Sequence, residues 1–386
     1  MELSVVILSY NVRPYVWQCI DSVQAALNGL NAEIMLVDNA SSDDTVQSIM
    51  RDFPQVRVVA NTENLGFSKA YNQAIDQALG EYICILNPDT VLAESVFEPL
   101  IKKFNTHENL GALGVKFIDG RGQFLPECKR RIPTPKGSLK KLLGWSENNQ
   151  GYYQDNLAPD QEGQAEILAG AFLMMRKGDY LSVNGFDEHY FMFGEDIDLC
   201  YKLIKNGLQN YYVGTQKIIH YKGESTQKNR QYLERFYGAM IHFYRTHFSQ
   251  NRLELFAVWI FAQILIMRRG IWPRKSKVMD GSPSLVVWVS QRYEIPDSLR
   301  QWLPEGPWRI DPDQVKIINP KDLNLQHSEN ARLIFDRASM SYSDIIEAMA
   351  QGVEKNQFFR IWHDKRGLLI GSDSSDAQGQ ALYLLK

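Results

Sequence analysis

The sequence predicts an α/β fold, a mostly parallel sheet with helices on both faces followed by a smaller α/β unit. Short β-rich apolar runs recur at Leu3–Leu8, Ile34–Val37, Val56–Ala60 and Tyr82–Leu86. Helical patterns follow them at Tyr15–Leu27, Asp44–Arg51, Ser68–Leu79 and Ser95–Phe104, with Ser42 and Ser68 as candidate N-caps. Strand–helix alternation of this kind winds a parallel sheet. At 386 residues the chain has room for two domains.

From Gly111 to Val213 the pattern loosens. Lys129–Asn149, with Pro133 and Pro135, reads as a long basic loop, and Glu166–Arg176 as a strand through Gly170-Ala171. Glu195–Asn206 reads as a short helix, Lys217–His220 as a strand, and Tyr232–Met267 as an aromatic-rich helical stretch. Arg268–Pro283 reads as a linker. Beyond it, strands are expected at Leu285–Val289, Val315–Ile318, Arg332–Phe335, Phe358–Trp362 and Leu368–Ile370, with a helix at Tyr342–Gln351. The expected organisation is a first domain over residues 1–230, a helical segment and linker over 231–282, and an accessory α/β domain over 283–386.

Composition narrows the function. The chain is 44% hydrophobic and 23% charged, as globular proteins are, and its net charge of −3 gives no reason to expect nucleic acid. Cys19, Cys84, Cys128 and Cys200 are scattered without a CxxC pair, which favours buried, reduced thiols and a cytoplasmic location. The N-terminus enters directly into Leu3–Leu8 with no basic region, so it reads as a strand rather than a signal peptide.

In open parallel sheets, ligands bind beyond the carboxyl ends of the strands. Here those ends deliver Ser9-Tyr10-Asn11, then Asp38-Asn39-Ala-Ser-Ser-Asp43, then Asn61-Thr-Glu-Asn64-Leu-Gly66-Phe, then Asn87-Pro88-Asp89. Each loop alone is ordinary turn chemistry; four at one sheet edge indicate a ligand site. Neither a Gly-x-Gly-x-x-Gly turn nor a Walker A loop is present, so a bound diphosphate would need a cation for neutralisation. Asp89 offers a hard oxygen of the kind Mg²⁺ or Mn²⁺ takes, completing the shell with phosphate and water. A second acidic cluster, Glu195-Asp196-Ile-Asp198, follows Phe191-Met-Phe-Gly194. Glu195 and Asp198 share a helix face and Asp196 points elsewhere. Nearby aromatic rings raise a carboxylate's pKa, as suits a general base, although acidic residues also favour a first helical turn for its dipole. His220 ends a strand and leads into Lys222-Gly223-Glu-Ser225-Thr226, a flap that would bring Lys222 near phosphate. The histidines form no zinc-hydrolase pattern.

Taken in order, these motifs resemble the family 2 glycosyltransferases, especially the rhamnosyltransferase-like branch. The matching segments are Val5–Asn11, Leu36–Asp43, Asn61–Phe67 with Asn72, Leu86–Asp89, Ala169–Ala171, Gly185–Glu188, Glu195–Leu199 and His220, within about residues 1–245. The resemblance implies a GT-A fold, a nucleotide-diphospho-sugar donor, a divalent metal (Mg²⁺ or Mn²⁺) and inversion. It places Ser9, Tyr10, Asn11, Asp38 and Asn39 around the nucleoside, and Asn64, Gly66 and Lys69 along the nucleotide pocket. Asn87-Pro-Asp89 stands where many relatives carry Asp-x-Asp, leaving Asp89 as the main carboxylate ligand with His220 as a second. Asp196 would be the catalytic base, with Gly170, Ala171 and Glu195 beside the substrate. The expected reaction moves rhamnose or another hexose from a dTDP- or UDP-sugar to a hydroxyl of a glycan or polyprenyl-diphosphate-linked glycan, in cell-surface polysaccharide synthesis. The rival readings are a sugar-nucleotide pyrophosphorylase, whose Gly-rich basic loop is missing at Ser9–Pro14, and a non-catalytic glycan-assembly scaffold.

Leu255–Met267 is apolar apart from Gln263. At ~1.5 Å per residue it spans roughly 20 Å, short of the ~30 Å hydrocarbon core. Two readings stand: a buried helix, or an in-plane helix with Arg245, Arg252, Arg268, Arg269, Arg274, Lys275 and Lys277 facing anionic lipid on the inner face of the cytoplasmic membrane. Lys136, Lys140, Lys141 and Trp145 would add a second contact. In the last unit, Gly367–Ser375 reads as a strand and a Gly/Ser turn without catalytic groups.

Overall fold

The computed structural model describes residues 1–133, 152–224, 230–248, 259–260, 263, 285–306, 308–325, 331–353, 357–374 and 378–384. Most of Leu255–Met267, its flanking basic residues from Arg252 to Lys277, and Lys136, Lys140, Lys141 and Trp145 lie outside the described residues.

The chain opens with β1 (Leu3–Ser9), α1 (Arg13–Ala26), β2 (Ala32–Asp38), α2 (Thr45–Asp52), β3 (Arg57–Ala60), α3 (Phe67–Gln77) and β4 (Tyr82–Leu86). Strands β3, β2, β1 and β4 lie side by side in parallel, and Ser9 stands level with Asp38 at the carboxyl edge. Strand β4 is apolar and buried throughout, as a central parallel strand should be. The first helix starts at Arg13, two residues earlier than the pattern suggests, because Pro14 fits the first turn, where an N–H is not required.

Neither serine is an N-cap. Residue Asp44 precedes α2 with φ 57°, while the Ser42 hydroxyl turns to Asn11 Oδ1 at 3.2 Å. At α3 the preceding residue is Gly66, and the Phe67 amide donates to the Phe191 carbonyl at 2.7 Å. A backbone oxygen from 124 residues downstream thus satisfies the first amide of a helix that begins one residue before Ser68.

The sheet continues through β5 (Thr90–Leu92), α4 (Phe97–Thr106), β6 (Leu110–Ile118), β7 (Lys129–Arg130), β8 (Glu162–Gln164), β9 (Ile167–Leu168), β10 (Phe172–Arg176), α5 (Lys177–Ser182), α6 (Glu195–Lys205) and β11 (Gln209–His220). Strand β10 runs antiparallel between β4 and β6, β11 pairs parallel with β6, and β5 closes the edge antiparallel to β11. The sheet is therefore mixed rather than parallel beyond β4. Gly170-Ala171 breaks the expected 166–176 strand into β9 and β10. Lys129 and Arg130 are not loop residues: they pair with β9 and are buried. Helix α7 (Arg230–His247) then packs across α6, with Phe243 buried.

The last unit is β12 (Leu285–Val289), α8 (Asp297–Glu305), β13 (Lys316–Ile318), β14 (Ala331–Asp336), α9 (Tyr342–Gly352), β15 (Phe358–His363), β16 (Leu368–Gly371) and β17 (Gln380–Tyr383). Its order is β13-β12-β14-β15-β16-β17, parallel as far as β15 and antiparallel after it. Strand alternation gives the sheet two apolar faces. Val286, Trp288, Ile334 and Trp362 pack with Leu299 and Leu303 of α8. Val287, Val289, Leu333, Phe335 and Ile361 instead join the core that contains Leu3, Val16 and Ile85.

Polar contacts tie the two sheets together around α1 and α9. Tyr342 Oη donates to Asp21 Oδ2 at 2.6 Å, and Lys217 pairs with Glu347 at 2.6 Å. Both oxygens of Glu94 accept amides from the first turn of α9, from Tyr342 and Ser343 at 2.8 Å, beside the Ser341 cap of the same helix. Burial would raise the Glu94 carboxyl, but these hydrogen bonds outweigh it and lower its pKa. Such a group stabilises the fold above its ordinary value of 4.5, and the stabilisation fades as pH falls through the lower folded value. Glu94→Ala is expected to lose ~1–3 kcal/mol at pH 7 and less at pH 3. Denaturant melts at the two pH values would show it, and an equal loss at both would remove the charged cap from the account.

Candidate active site

The carboxyl ends of β1 to β4 form one floor. Asp38 is buried; its Oδ2 accepts the Ser41 amide at 2.8 Å, while its Oδ1 and the Ser9 hydroxyl have no partner among the described residues. Asn39 joins the loops: its Nδ2 donates to Asn64 Oδ1 at 3.2 Å and to the Gly66 carbonyl at 2.9 Å, and its Oδ1 accepts from Asn61 at 2.9 Å. Asn11, at φ 53°, braces the next loop through its Oδ1 to the Ser42 amide at 2.7 Å. Tyr10 and Lys69 are exposed at this edge. Gly66 has φ 80°, and a Cβ there would stand 2.7 Å from the Phe191 ring and carbonyl, so both backbone geometry and packing require glycine.

At the end of β4, the Asn87 amide donates to the Ala171 carbonyl at 3.0 Å, which joins Asn87-Pro88-Asp89 to the Gly170 turn. Strand pairing then sets Thr90 opposite His220, and the Tyr221 amide donates to the Asp89 carbonyl at 3.0 Å. Asp89 and His220 are both buried, with Oδ1 and Nε2 3.4 Å apart. That separation is long for a hydrogen bond and suits two ligands of one ion. His220 Nδ1 is a buried polar atom without a partner among the described residues. The donor set, one carboxylate and one imidazole beside an open floor, fits a divalent ion. Lys222, expected near phosphate, pairs instead with Glu127.

Helix α6 carries the second carboxylate group, and its three acids have separate environments. Asp196 Oδ2 accepts from Arg130 Nη2 at 2.5 Å and from the Gly170 amide at 3.0 Å. Burial would make Arg130 easier to deprotonate, but the Asp196 charge and Tyr152 overcome this and raise its pKa. Glu195 is buried and its Oε2 has no partner among the described residues. Burial first, then the Asp196 charge, lifts its carboxyl to about 8, against a backbone hydrogen bond and Arg130. Asp198 is enclosed by His247 at 2.6 Å and Lys202 at 3.0 Å, so it fastens α7 to α6. The turn into α6 is strained: Phe193 has φ 73° and Gly194 φ 81°. Edge-on packing of Phe193 against Tyr232 and Phe236 of α7 holds it there.

Another set of donors lies at the 185–190 turn. Asp187, His189 and His242 each place one ligand atom within 4.8 Å of the others. His242 Nε2 is 2.7 Å from Asp187 Oδ2, and His189 Nδ1 is 2.8 Å from Oδ1. Arg245 Nη2 lies 3.1 Å from His242 Nδ1 and can only donate, which assigns the His242 proton to Nε2, facing the carboxylate. In this state the triad is a hydrogen-bonded clasp, and an ion there would have to displace that proton. Burial would raise Asp187, but bonds from His242 and from the backbone and side chain of His189 bring it down to about 2.

The sequence reading did not single out Arg130, His242 or His247. Arg130 lies 66 positions from its carboxylate in a stretch that reads as loop, so no local pattern marks it. The four cysteines are free and buried.

Residues 4–182 match glycosyl transferase family 2, and residues 158–225 match the N-terminal domain of galactosyltransferase. The chain is 30% identical over 243 residues to N-acetylglucosaminyl-diphospho-decaprenol L-rhamnosyltransferase of Mycobacterium tuberculosis H37Rv, covering 59% of this chain and 78% of that protein. The chain belongs to glycosyl transferase family 2. This family 2 glycosyltransferase is of the rhamnosyltransferase-like kind. It is also 29% identical over 145 residues to rhamnosyltransferase WbbL of Escherichia coli K12, covering 36% of this chain and 52% of that protein. Among solved structures, a mannosyltransferase from Pyrobaculum calidifontis, in complex with GDP-Man and Mn²⁺, aligns with a TM-score of 0.47 and 15% identity over 71% of this chain and 76% of that one. Family membership places the chain among transferases and removes the pyrophosphorylase reading. No helix among the described residues is long and apolar enough to cross a membrane.

Glu195 gives a pH signature. Its folded value, about 8, lies above the ordinary 4.5, so its contribution to stability is fully present below pH 4.5 and is lost as pH rises through about 8. Glu195→Gln removes that titration. The variant is expected to melt higher than wild type at pH 8, by roughly 2–4 °C per kcal/mol recovered, with a smaller difference at pH 5. Parallel pH profiles for the two proteins would rule out a buried, protonated Glu195.

Proposed function

We propose that the protein is a metal-dependent, inverting glycosyltransferase that moves rhamnose or another hexose from a dTDP- or UDP-sugar to a hydroxyl of a polyprenyl-diphosphate-linked glycan. The observation that carries this reading is the buried Asp89–His220 pair, 3.4 Å apart with His220 Nδ1 unpartnered, at the edge that also holds Asp196. A relative named as acting on N-acetylglucosaminyl-diphospho-decaprenol supports the choice of sugar and acceptor.

The nucleoside assignment rests on the unpartnered Asp38 Oδ1 and Ser9 Oγ. A carboxylate oxygen accepts the imide N–H that uracil and thymine share. Asn39 keeps this floor rigid, so Tyr10, Asn64 and Lys69 meet the rest of the nucleotide at a formed surface. Asp89 and His220 would hold Mg²⁺ or Mn²⁺, which supplies positive charge for the departing diphosphate.

Asp196 takes the proton of the acceptor hydroxyl, whose oxygen attacks the anomeric carbon opposite the leaving group. As that C–O bond forms, the bond to the diphosphate breaks and its electron pair leaves with the nucleotide. Arg130 and the Gly170 amide fix Oδ2. Its Oδ1, bonded among the described residues to the adjacent Ile197 amide at 2.8 Å, retains capacity for the acceptor. Burial pushes the Glu195 carboxyl up to about 8, so it offers a donor where Asp196 offers an acceptor. Adjacent carboxyls with divergent environments divide the acid and base roles.

Two measurements test this. Asp196→Asn is expected to lower transfer by ~10²–10⁴ while leaving donor affinity nearly unchanged. Near-normal turnover would move the base elsewhere. For the ion, Asp89→Ala should abolish the Mn²⁺-dependent part of the thermal shift given by UDP or dTDP, whereas His242→Ala should retain it. The opposite pattern would place the ion at the 187–242 clasp.

A further inference from the structure

The segment after His220 is held by the C-terminal unit. Lys222 at φ 64° and Gly223 at φ 88° turn the chain back at once, and Glu224 is carried into the interior, 6% exposed. Both Glu224 oxygens accept the Gly379 amide, at 2.7 and 3.0 Å, and its carbonyl accepts from Gln378 Nε2 at 3.2 Å. Gly379 leads into β17, which is paired to β16. A Cβ at 379 would stand 2.5 Å from Tyr15 Oη, 2.6 Å from the Gly371 carbonyl and 2.9 Å from Glu224 Oε1. Only a glycine brings this amide to the carboxylate. Tyr221, buried between these groups, packs edge-on to Tyr15 at 5.5 Å.

A carboxylate is an unexpected group so close to a site meant for a diphosphate. Its bonds run away from that site, into an element 155 residues downstream. The same unit approaches the neighbouring strand end: a Cβ on Gly120, just past β6, would meet the Ser372 carbonyl at 2.4 Å. The C-terminal sheet is thus built against the ends of β6 and β11, where His220 sits.

We propose that Glu224 and Gly379 form a latch by which the C-terminal unit positions the His220 segment, making that unit part of the transferase site rather than an appendage. Glu224 is a positioning residue, acting through the backbone between it and His220. The consequence for metal binding rests on the function proposed above; the latch itself does not.

The test uses the full chain. Amide hydrogen exchange over residues 218–224 is compared in wild type, Glu224→Ala, Glu224→Gln and Gly379→Ala, with Mn²⁺ binding measured in parallel by titration in the presence of UDP. Glu224→Ala is expected to speed exchange at Tyr221 about tenfold or more and to weaken Mn²⁺ binding about tenfold, with the rest of the exchange pattern retained. Glu224→Gln, whose amide oxygen still accepts from Gly379, should stay within about threefold of wild type on both measures. Wild-type exchange in Glu224→Ala would overturn the latch, as would acceleration spread evenly over the whole chain. Should Gly379→Ala fail to fold, the two Glu224 variants still decide. If wild type binds no Mn²⁺, the metal reading of Asp89 and His220 fails, while the exchange comparison still judges the latch.

Discussion

Asp89 and His220 stand far apart in the chain, yet the pairing of two neighbouring strands leaves them little freedom. Strand β5 begins one residue after Asp89 and β11 ends at His220, and their antiparallel register sets Thr90 against His220. Two ionisable side chains are thereby buried side by side. Burial of a polar atom such as His220 Nδ1 without a partner costs free energy that the fold must offset elsewhere. The strand order beyond β4, with β10 reversed between β4 and β6 and β5 reversed beside β11, makes this meeting geometrically available. A purely parallel sheet would have carried the chain away from it.

The other acids of the site show the same economy of charge. Each is held by a group from a distant segment: Asp196 by Arg130 of β7, Asp198 by His247 of α7, Asp187 by His242 of the same helix. Glu195 is the exception, and it takes a proton instead of a partner. Two histidine contacts therefore fix α7 against α6 and the 185–190 turn, and the strained Phe193 turn is kept by aromatic packing. The C-terminal sheet enters this arrangement as a brace. Its inner face shares a core with α1, its helix α9 is capped by Glu94, and its last strand meets Glu224.

Much of this was legible in the sequence because it depends on local pattern. The apolar runs of β1, β2 and β4 mark buried strands, and the polar residues that follow them mark a ligand edge. The ordered motifs through Glu195–Leu199 then identify the family. What could not be read depends on long-range pairing. Arg130 appears as one more basic residue in a proline-bounded loop until β9 pairs with it. Ser42 and Ser68 have the chemistry of N-caps, but tertiary contacts from Asn11 and Phe191 took over at those helix starts. The 166–176 run has strand composition throughout, and only the close approach of Asp196 to Gly170, whose Cβ would stand 3.3 Å away, explains its break.

In the proposed site the divalent ion sits between Asp89 and His220. Anomalous diffraction from a crystal of the wild-type protein grown with Mn²⁺ and UDP tests it most directly. The expected result is a manganese peak bonded to an Asp89 oxygen and a His220 nitrogen, with the remaining shell filled by diphosphate oxygens and water. A peak at Asp187, His189 and His242 with none at Asp89 would contradict it.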